Sequence, residues 1–339
     1  MIRKILFSVL LIISSCHLPE EQEQKSEIQR ISEEITKNPV DISLLYARVD
    51  YNRLEGNLES ALYDLKEIVR LDSLDAINHY NIAEIYFELS KSNNRKSKYP
   101  SLVRYHLEKS LKIDDKNSSA YALMGELLLA YYEYEDAIKL FNLSLKLEYN
   151  QERTHMLMGY AFKQLGNSKN AIDCFRNSVN INPDFIESHI QLGQIFHLLK
   201  DTTALIYYSN ALDLDSSNEI VLYNRALFFQ NQLEWNKALD AYADLHNVYP
   251  FHGDGHYNLG FIHMELKLYD IAVNNFSDAI YSNPNFYEAY YSRGNCFETL
   301  GNVKQAESDY KRAVEINPEY TYAIQALEDL IEKNRIYNK

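Results

Sequence analysis

Small residues recur along this chain at intervals of 33 or 34 residues, at Gly125, Gly159, Gly193, Ala226, Gly260 and Gly294. An alanine follows eleven or twelve residues after each of them, and an aromatic residue follows four residues after each alanine. Prolines keep the same period at Pro183, Pro250, Pro284 and Pro318. Periods of this length are typical of solenoids and other repeat arrays. The chain is therefore predicted to be an array of similar units that stack on their neighbours.

The residue types within one period indicate a pair of antiparallel helices. A small residue on the first helix and an alanine on the second let the helices approach closely, and the aromatic residue shares a face with that alanine. Proline ends the second helix, because it lacks an N–H group and forces the preceding residue into an extended conformation. The low content of glycine (10) and proline (7) among 339 residues also favours helices over strands. An all-α fold is predicted.

This pattern resembles the tetratricopeptide repeat, which has a large residue at position 4, small residues at 8 and 20, an aromatic residue at 24 and proline at 32. The resemblance implies an α-solenoid of tandem helix-turn-helix units that forms a right-handed superhelix. Its register divides residues 42–320 into eight repeat units: 42–75, 76–117, 118–151, 152–185, 186–218, 219–252, 253–286 and 287–320.

One further helix is predicted at each end of the array. Residues 26–38 resemble the second half of a truncated unit, since Asn38-Pro39 keeps the repeat register. Residues 321–336 are predicted to form a capping helix with Glu328, Asp329 and Glu332 on its polar face. A polar outer face on the terminal helix keeps a solenoid soluble.

The N-terminal residues are predicted to be a targeting signal rather than part of the repeat fold. Arg3 and Lys4 precede an apolar run that is typical of a secretory signal and too short to span a bilayer. The sequence Ile13-Ser14-Ser15-Cys16 resembles the bacterial lipobox, which implies a signal peptide at residues 1–15, lipid attachment to Cys16 and a lipidated tether at residues 16–25. An ordinary cleaved signal that contains a cysteine is the alternative.

The lipobox resemblance implies a lipid-anchored protein of the bacterial cell envelope. His17 stands after the cysteine, where an aspartate would favour retention in the inner membrane. The outer membrane is therefore expected, on either its periplasmic or its surface face.

In tetratricopeptide repeats the first helices line a concave groove, and partners contact positions 2, 5, 9, 12 and 13 of each unit. Position 5 holds a tyrosine in five units: Tyr46, Tyr80, Tyr223, Tyr257 and Tyr291. Over all these positions nine acidic residues, including Glu84, Glu126 and Glu298, stand against three basic ones. Rigid aromatic side chains in an acidic groove suit a basic or amphipathic protein or peptide partner. The alternative is that the tyrosines only pack between units.

Two classes of partner are excluded. The net charge of −14 repels phosphate backbones, so no nucleic acid is expected to bind. Chaperone-binding tetratricopeptide repeats grip a C-terminal carboxylate with lysine, asparagine and arginine on neighbouring first helices. Position 5 holds no lysine here and the bases are not clustered, so no chaperone partner of the carboxylate-clamp type is expected.

No residue pattern in the sequence predicts a catalytic site, a metal site or a cofactor. Phosphate-loop, GxGxxG, HExxH and GxSxG motifs are absent from the sequence. Histidines fall at position 4 of four units: His79, His155, His189 and His256. A packing role is preferred for them, because neighbouring helix axes lie about 8–10 Å apart and keep such side chains from sharing one ion.

Two segments are further candidates for a binding site. His252, Asp254 and His256 are a weak metal candidate, and local flexibility at Gly253 and Gly255 is the preferred interpretation. The four basic residues within 91–98 are interpreted as a solvated loop, with contact to lipid phosphates or an acidic partner as the alternative.

The sequence therefore predicts a membrane-anchored scaffold or adaptor of the bacterial cell envelope that binds a protein or peptide in its groove, and not an enzyme. It resembles envelope repeat lipoproteins that gather cell-wall enzymes or secretion and pilus components. The alternative is a solenoid that binds or senses a small ligand or a glycan, with the tyrosines as stacking platforms.

Overall fold

The computed structural model describes residues 26–92 and 98–337, and within them the chain forms eighteen α-helices and no β-strand. The predicted all-α repeat fold is thereby confirmed. The predicted signal peptide, Cys16, the tether up to residue 25 and residues 93–97 of the basic loop lie outside the described residues. Among the described helices, none is both long and apolar enough to cross a membrane.

The helices are α1 (Glu27–Lys37), α2 (Ile42–Leu54), α3 (Leu58–Leu71), α4 (Ala76–Ser92), α5 (Tyr99–Ile113), α6 (Ser118–Ala130), α7 (Tyr134–Leu147), α8 (Glu152–Gln164), α9 (Ser168–Ile181), α10 (Ile186–Leu198), α11 (Thr203–Leu214), α12 (Glu219–Asn231), α13 (Trp235–Val248), α14 (Gly253–Glu265), α15 (Tyr269–Ser282), α16 (Tyr287–Thr299), α17 (Val303–Ile316) and α18 (Thr321–Tyr337).

The chain divides into two compact parts, residues 1–120 and residues 121–339. In the first part the helices α1 to α5 each pack on the next helix, and in the second part α7 to α18 do the same. Except between α4 and α5, short turns connect these helices, so the helices that they join run antiparallel. Each part is therefore a stack of helix pairs, which is the architecture of an α-solenoid.

In the second part an aromatic ring lies against a small residue within each helix pair. A Cβ atom on Gly159 would come within 2.8 Å of the Phe175 ring, and one on Gly193 within 2.4 Å of the Tyr208 ring. The same contact joins Gly125 to Phe141, Gly260 to Phe276 and Gly294 to Tyr310. All five rings are fully buried. The helix backbones therefore approach more closely than a larger side chain on the first helix would permit.

A partly buried ion pair recurs near both ends of the array. Arg293 donates two hydrogen bonds of 2.8 Å to Asp309, sixteen residues later, and one of 2.9 Å to Ser277, sixteen residues earlier. Arg48 makes the same two bonds to the aspartate sixteen residues later and reaches Ser32 on α1 at 3.4 Å. Helix α1 thus contacts α2 as α15 contacts α16, and the assignment of α1 as the second half of a truncated unit stays a prediction.

We expect Gly159→Leu to lower the free energy of unfolding by about 3 kcal/mol, because the new side chain overlaps the buried ring of Phe175. Gln164→Leu, at the exposed end of the same helix, is the matched control and is expected to change it by less than about 0.5 kcal/mol. Urea denaturation followed by circular dichroism measures both variants. Equal midpoints would contradict the close approach of α8 and α9.

Candidate functional site

Two of the predicted groove tyrosines in the second part are bound by the repeat that follows them. The Tyr223 hydroxyl accepts a hydrogen bond of 3.2 Å from Asn258 Nδ2, and the side chain of Ser292 lies close to the Tyr257 hydroxyl. Asn258 and Ser292 both occupy position 6 of their units. Burial raises the pKa of both tyrosines. Their hydroxyl groups are therefore engaged in contacts between repeats.

The two predicted tyrosines of the first part are also engaged. The Tyr46 hydroxyl donates a hydrogen bond to Asn78 Oδ1 on the next first helix, and the Tyr80 hydroxyl donates one of 3.1 Å to Glu84 on its own helix. Both tyrosines are half-buried. Each part of the array thus contains position-5 tyrosines that are fixed by polar contacts.

Three of the predicted acidic residues of the groove are paired with bases: Glu84, Glu126 and Glu298. Arg53 lies 2.7 Å from Glu84, and Arg153 lies 2.6 Å from Glu126. Lys333 on the terminal helix lies 2.8 Å from Glu298. These pairs join neighbouring first helices, and they reduce the negative potential that the count of acidic residues predicted for the groove.

Tyr291 differs from the other tyrosines because α18 follows it, and position 6 of that helix is Ala326, which has no hydrogen-bonding side chain. A cleft of about 360 Å³ opens between α16 and α18. We call it the C-terminal cleft, and its lining residues are Tyr291, Thr321, Tyr322, Gln325, Ala326 and Asp329. Of the predicted groove residues, the structure places Tyr291 in this cleft and Glu298 beside it, bound to Lys333.

The sequence interpretation missed Tyr322, Gln325 and Asp329, because it treated residues 321–336 only as a cap. A signal for them was present. When the repeat register is continued past residue 320, these residues fall at positions 2, 5 and 9, which are three of the five positions that face the groove.

Three of the four position-4 histidines form hydrogen bonds with the turns between repeats. A ring N–H group of His155, His189 and His256 donates to the carbonyl oxygen six residues earlier, at 3.1, 2.8 and 2.8 Å respectively. His79 instead lies with its Nδ1 atom 3.1 Å from Nδ1 of His106. Within residues 26–92 and 98–337, no group of three histidine, cysteine or acidic side chains is arranged to hold a metal ion.

The residues between His252 and His256 are closely packed. The rings of His246 and His256 stack with centroids 3.9 Å apart and an angle of 13° between their planes. A Cβ atom on Gly255 would come within 2.9 Å of His246 Nε2, so this glycine makes room for the histidine. Gly255 lies buried in the first turn of α14, and the preferred interpretation of local flexibility stays a prediction.

Burial sets the protonation of His246 in this stack. It lowers the pKa of His246 to about 4, and repulsion from His256 and His252 acts in the same direction, while Asp278 and a backbone hydrogen bond oppose it. His246 is therefore neutral at neutral pH.

Models of the tetratricopeptide repeat match residues 287–320, 152–185 and 254–286. The chain carries tetratricopeptide repeats. Repeats of this kind generally mediate protein–protein interactions, and the matched segments include Tyr257 and Tyr291 and end just before the terminal helix that completes the C-terminal cleft.

The relatives share these repeats at low identity. Tetratricopeptide repeat protein 6 from Homo sapiens is 25% identical over 198 residues, which cover 57% of this chain and 38% of that protein. The BBSome complex member BBS4 from Bos taurus is 22% identical over 303 residues, which cover 80% of this chain and 58% of that protein. This chain thus spans less than two thirds of the length of either relative.

A solved structure shows the same fold. The tetratricopeptide repeat protein from Parabacteroides merdae superimposes with a TM-score of 0.50 at 11% identity, over 75% of this chain and 99% of that chain. At this identity the likeness concerns the fold alone.

We expect His246→Gln to reduce the loss of stability on acidification. A histidine whose folded pKa lies below its unfolded value of about 6.5 is protonated first in the unfolded state, so its contribution is complete above that value and is lost as the pH falls toward 4. Because the side chain is only half-buried, water screens it and the loss is about 1 kcal/mol.

Urea midpoints at about pH 7 and about pH 4.5 measure this difference. Asn247→Gln, at the adjacent exposed position of α13, is the control and should follow the wild-type profile. An equal decrease of the urea midpoint on acidification in His246→Gln and wild type would contradict the role given to the half-buried imidazole.

Proposed function

We propose that this chain is a membrane-anchored scaffold of the bacterial cell envelope that binds a partner protein or peptide along its first helices. The C-terminal cleft carries this proposal, because Tyr291 and Tyr322 line an open space between two helices that present groove-facing positions. Aromatic side chains in such partly buried spaces are common anchors of protein interfaces. The tandem repeats support the proposal, since tetratricopeptide repeats generally act in protein–protein interactions.

The anchor and the location rest on the lipobox resemblance at Cys16. Each buried CH₂ group contributes about 0.8 kcal/mol, so two or three acyl chains hold a protein stably where one chain does not. The nine residues from 17 to 25 reach at most about 30 Å, which keeps the repeats near the membrane. The outer membrane is proposed on the same grounds, because His17 replaces the aspartate of inner-membrane retention.

Binding rather than catalysis is proposed for the repeats. Burial raises the pKa of the Cys174 thiol to about 12 and that of the Cys296 thiol to about 11, which makes both poor nucleophiles. The alternative function, binding of a small ligand or a glycan, favours an enclosed pocket. The C-terminal cleft is open enough to leave Tyr322 66% exposed, and this favours a segment of polypeptide.

Tyr322→Ala is expected to reduce capture of the partner about tenfold, because it removes the exposed aromatic wall of the cleft. Native envelope extract is passed over the immobilised full chain, and the retained protein is quantified by mass spectrometry. Tyr281→Ala is the matched control, because Tyr281 is a 75% exposed helical tyrosine outside the cleft. Equal retention by the two variants, with unchanged circular dichroism, would contradict the proposal.

Cys16→Ser is expected to abolish incorporation of labelled palmitate and to move the protein from the membrane fraction to the soluble fraction. The physical reason is that serine offers no thiol for the thioether that carries the lipid. Ser8→Ala, within the apolar run, keeps the cysteine and is the control. Membrane retention and labelling that persist in Cys16→Ser would rule out the anchor.

A further inference from the structure

The rings of Tyr291 and Tyr322 line the C-terminal cleft, and the Tyr320 ring packs against both of them. The centroid of the Tyr291 ring lies 5.4 Å from that of Tyr320 and 6.3 Å from that of Tyr322, and the latter two lie 5.7 Å apart. The ring planes meet at 89°, 46° and 58°, so no two rings are stacked. The Tyr291 and Tyr320 rings meet edge to face, whereas Tyr322 is 66% exposed and offers its ring to a ligand in the cleft.

A carboxylate stands beside these rings. Asp329 lines the same cleft from α18, and its Oδ1 atom accepts a hydrogen bond of 2.9 Å from Gln325 Nε2. A carboxylate offers about four acceptor sites, so this bond leaves Asp329 able to accept further donors. Glu288 adds negative charge near Tyr320, whose pKa is raised first by burial and further by neighbouring tyrosines and by this carboxylate.

Two basic side chains on α16 and α18 form ion pairs with acidic residues that do not line the cleft. Lys333, one turn after Asp329, donates to Glu298 on α16 at 2.8 Å. Arg293 on α16 is held by Asp309 through two hydrogen bonds. The residues that line the cleft therefore include a carboxylate and no base.

Ala326 leaves room for this cleft. In the two preceding repeats, position 6 is Asn258, which donates a hydrogen bond to Tyr223, or Ser292, whose side chain lies close to Tyr257. Ala326 occupies the same position with a smaller side chain, so the space beside Tyr291 stays open as part of the cleft. The variant Ala326→Asn would restore the contact between helices without changing the charge of the cleft.

We propose that the C-terminal cleft binds the guanidinium group of an arginine within a segment of the partner polypeptide. This inference rests on the function proposed above and specifies the chemistry of its ligand. A planar guanidinium stacks on a tyrosine face and donates paired hydrogen bonds to a carboxylate, whereas an ammonium group acts as a point charge. The volume of about 360 Å³ takes such a side chain with adjoining backbone, and the exposed face of Tyr322 contacts its neighbours in the segment.

The test is a titration of the full chain, purified in detergent, with the blocked peptide acetyl-Gly-Ser-Arg-Ser-Gly-amide. The methyl NMR signal of Thr321, which lines the cleft, reports binding at this place. The same peptide with citrulline instead of arginine keeps the planar shape and loses the charge. Its affinity is expected to be about tenfold weaker, and Asp329→Asn and Ala326→Asn are each expected to weaken arginine binding about fivefold or more.

Glu328→Gln is the matched control, because it removes the same charge from an exposed site on α18 outside the cleft. It is expected to change the affinity less than about twofold. Equal binding of the citrulline and arginine peptides would overturn the guanidinium assignment. Equal weakening by Asp329→Asn and Glu328→Gln would overturn the site, and tighter binding of free arginine than of the blocked peptide would overturn the polypeptide ligand.

Capture of a partner from envelope extract distinguishes a failure of this inference from a failure of the proposed function. If Tyr322→Ala loses the partner while the arginine peptide does not bind, the scaffold function stands and the guanidinium site is wrong. If the arginine peptide binds at the cleft and no partner is retained, the site stands and the scaffold function is wrong.

Discussion

The contact between one aromatic ring and one small residue sets the distance between the two helices of a repeat. The rings of Phe175 and Tyr208 are fully buried and have no free space to move into, so the facing residue on the first helix must be small. In the sixth repeat Ala226 and Tyr242 pack in one buried cluster, so a methyl group is accommodated there. With this distance fixed, a tyrosine at position 5 comes within hydrogen-bonding reach of the next repeat, as Tyr223 does with Asn258.

The all-α repeat fold was predictable because it depends on residue size at fixed intervals, which a single sequence displays directly. The functional side chains were less predictable, because their roles depend on what the neighbouring repeat places opposite them. Tyr257 and Tyr291 occupy the same position of consecutive units. The first lies close to the side chain of Ser292, and the second lines a cleft beside Ala326. That difference lies in a residue more than thirty positions away.

The charge of the groove is another property that the sequence alone predicts incompletely. Counting residues at the groove positions predicts an acidic surface, and Glu84 and Glu126 contribute to that count. In the structure Arg53 and Arg153 bind these two carboxylates. Such pairs are partly exposed to solvent and contribute about 1 kcal/mol each to stability, but they cancel charge at short range. Local features such as Asp329 beside the tyrosine rings therefore determine ligand chemistry more than the sum of charges does.

The C-terminal cleft forms where a hydrogen bond between position 5 and position 6 is missing. Tyr223 cannot turn toward a ligand without losing its hydrogen bond to Asn258, which joins two repeats. Tyr291 faces Ala326 on α18, whose side chain cannot form that bond, so Tyr291 is less constrained by the fold. The helix that covers the core of the last repeat, where Leu330 is buried against Tyr310, therefore also shapes the cleft. Its buried face stabilises the array, and its other face is available to select a ligand.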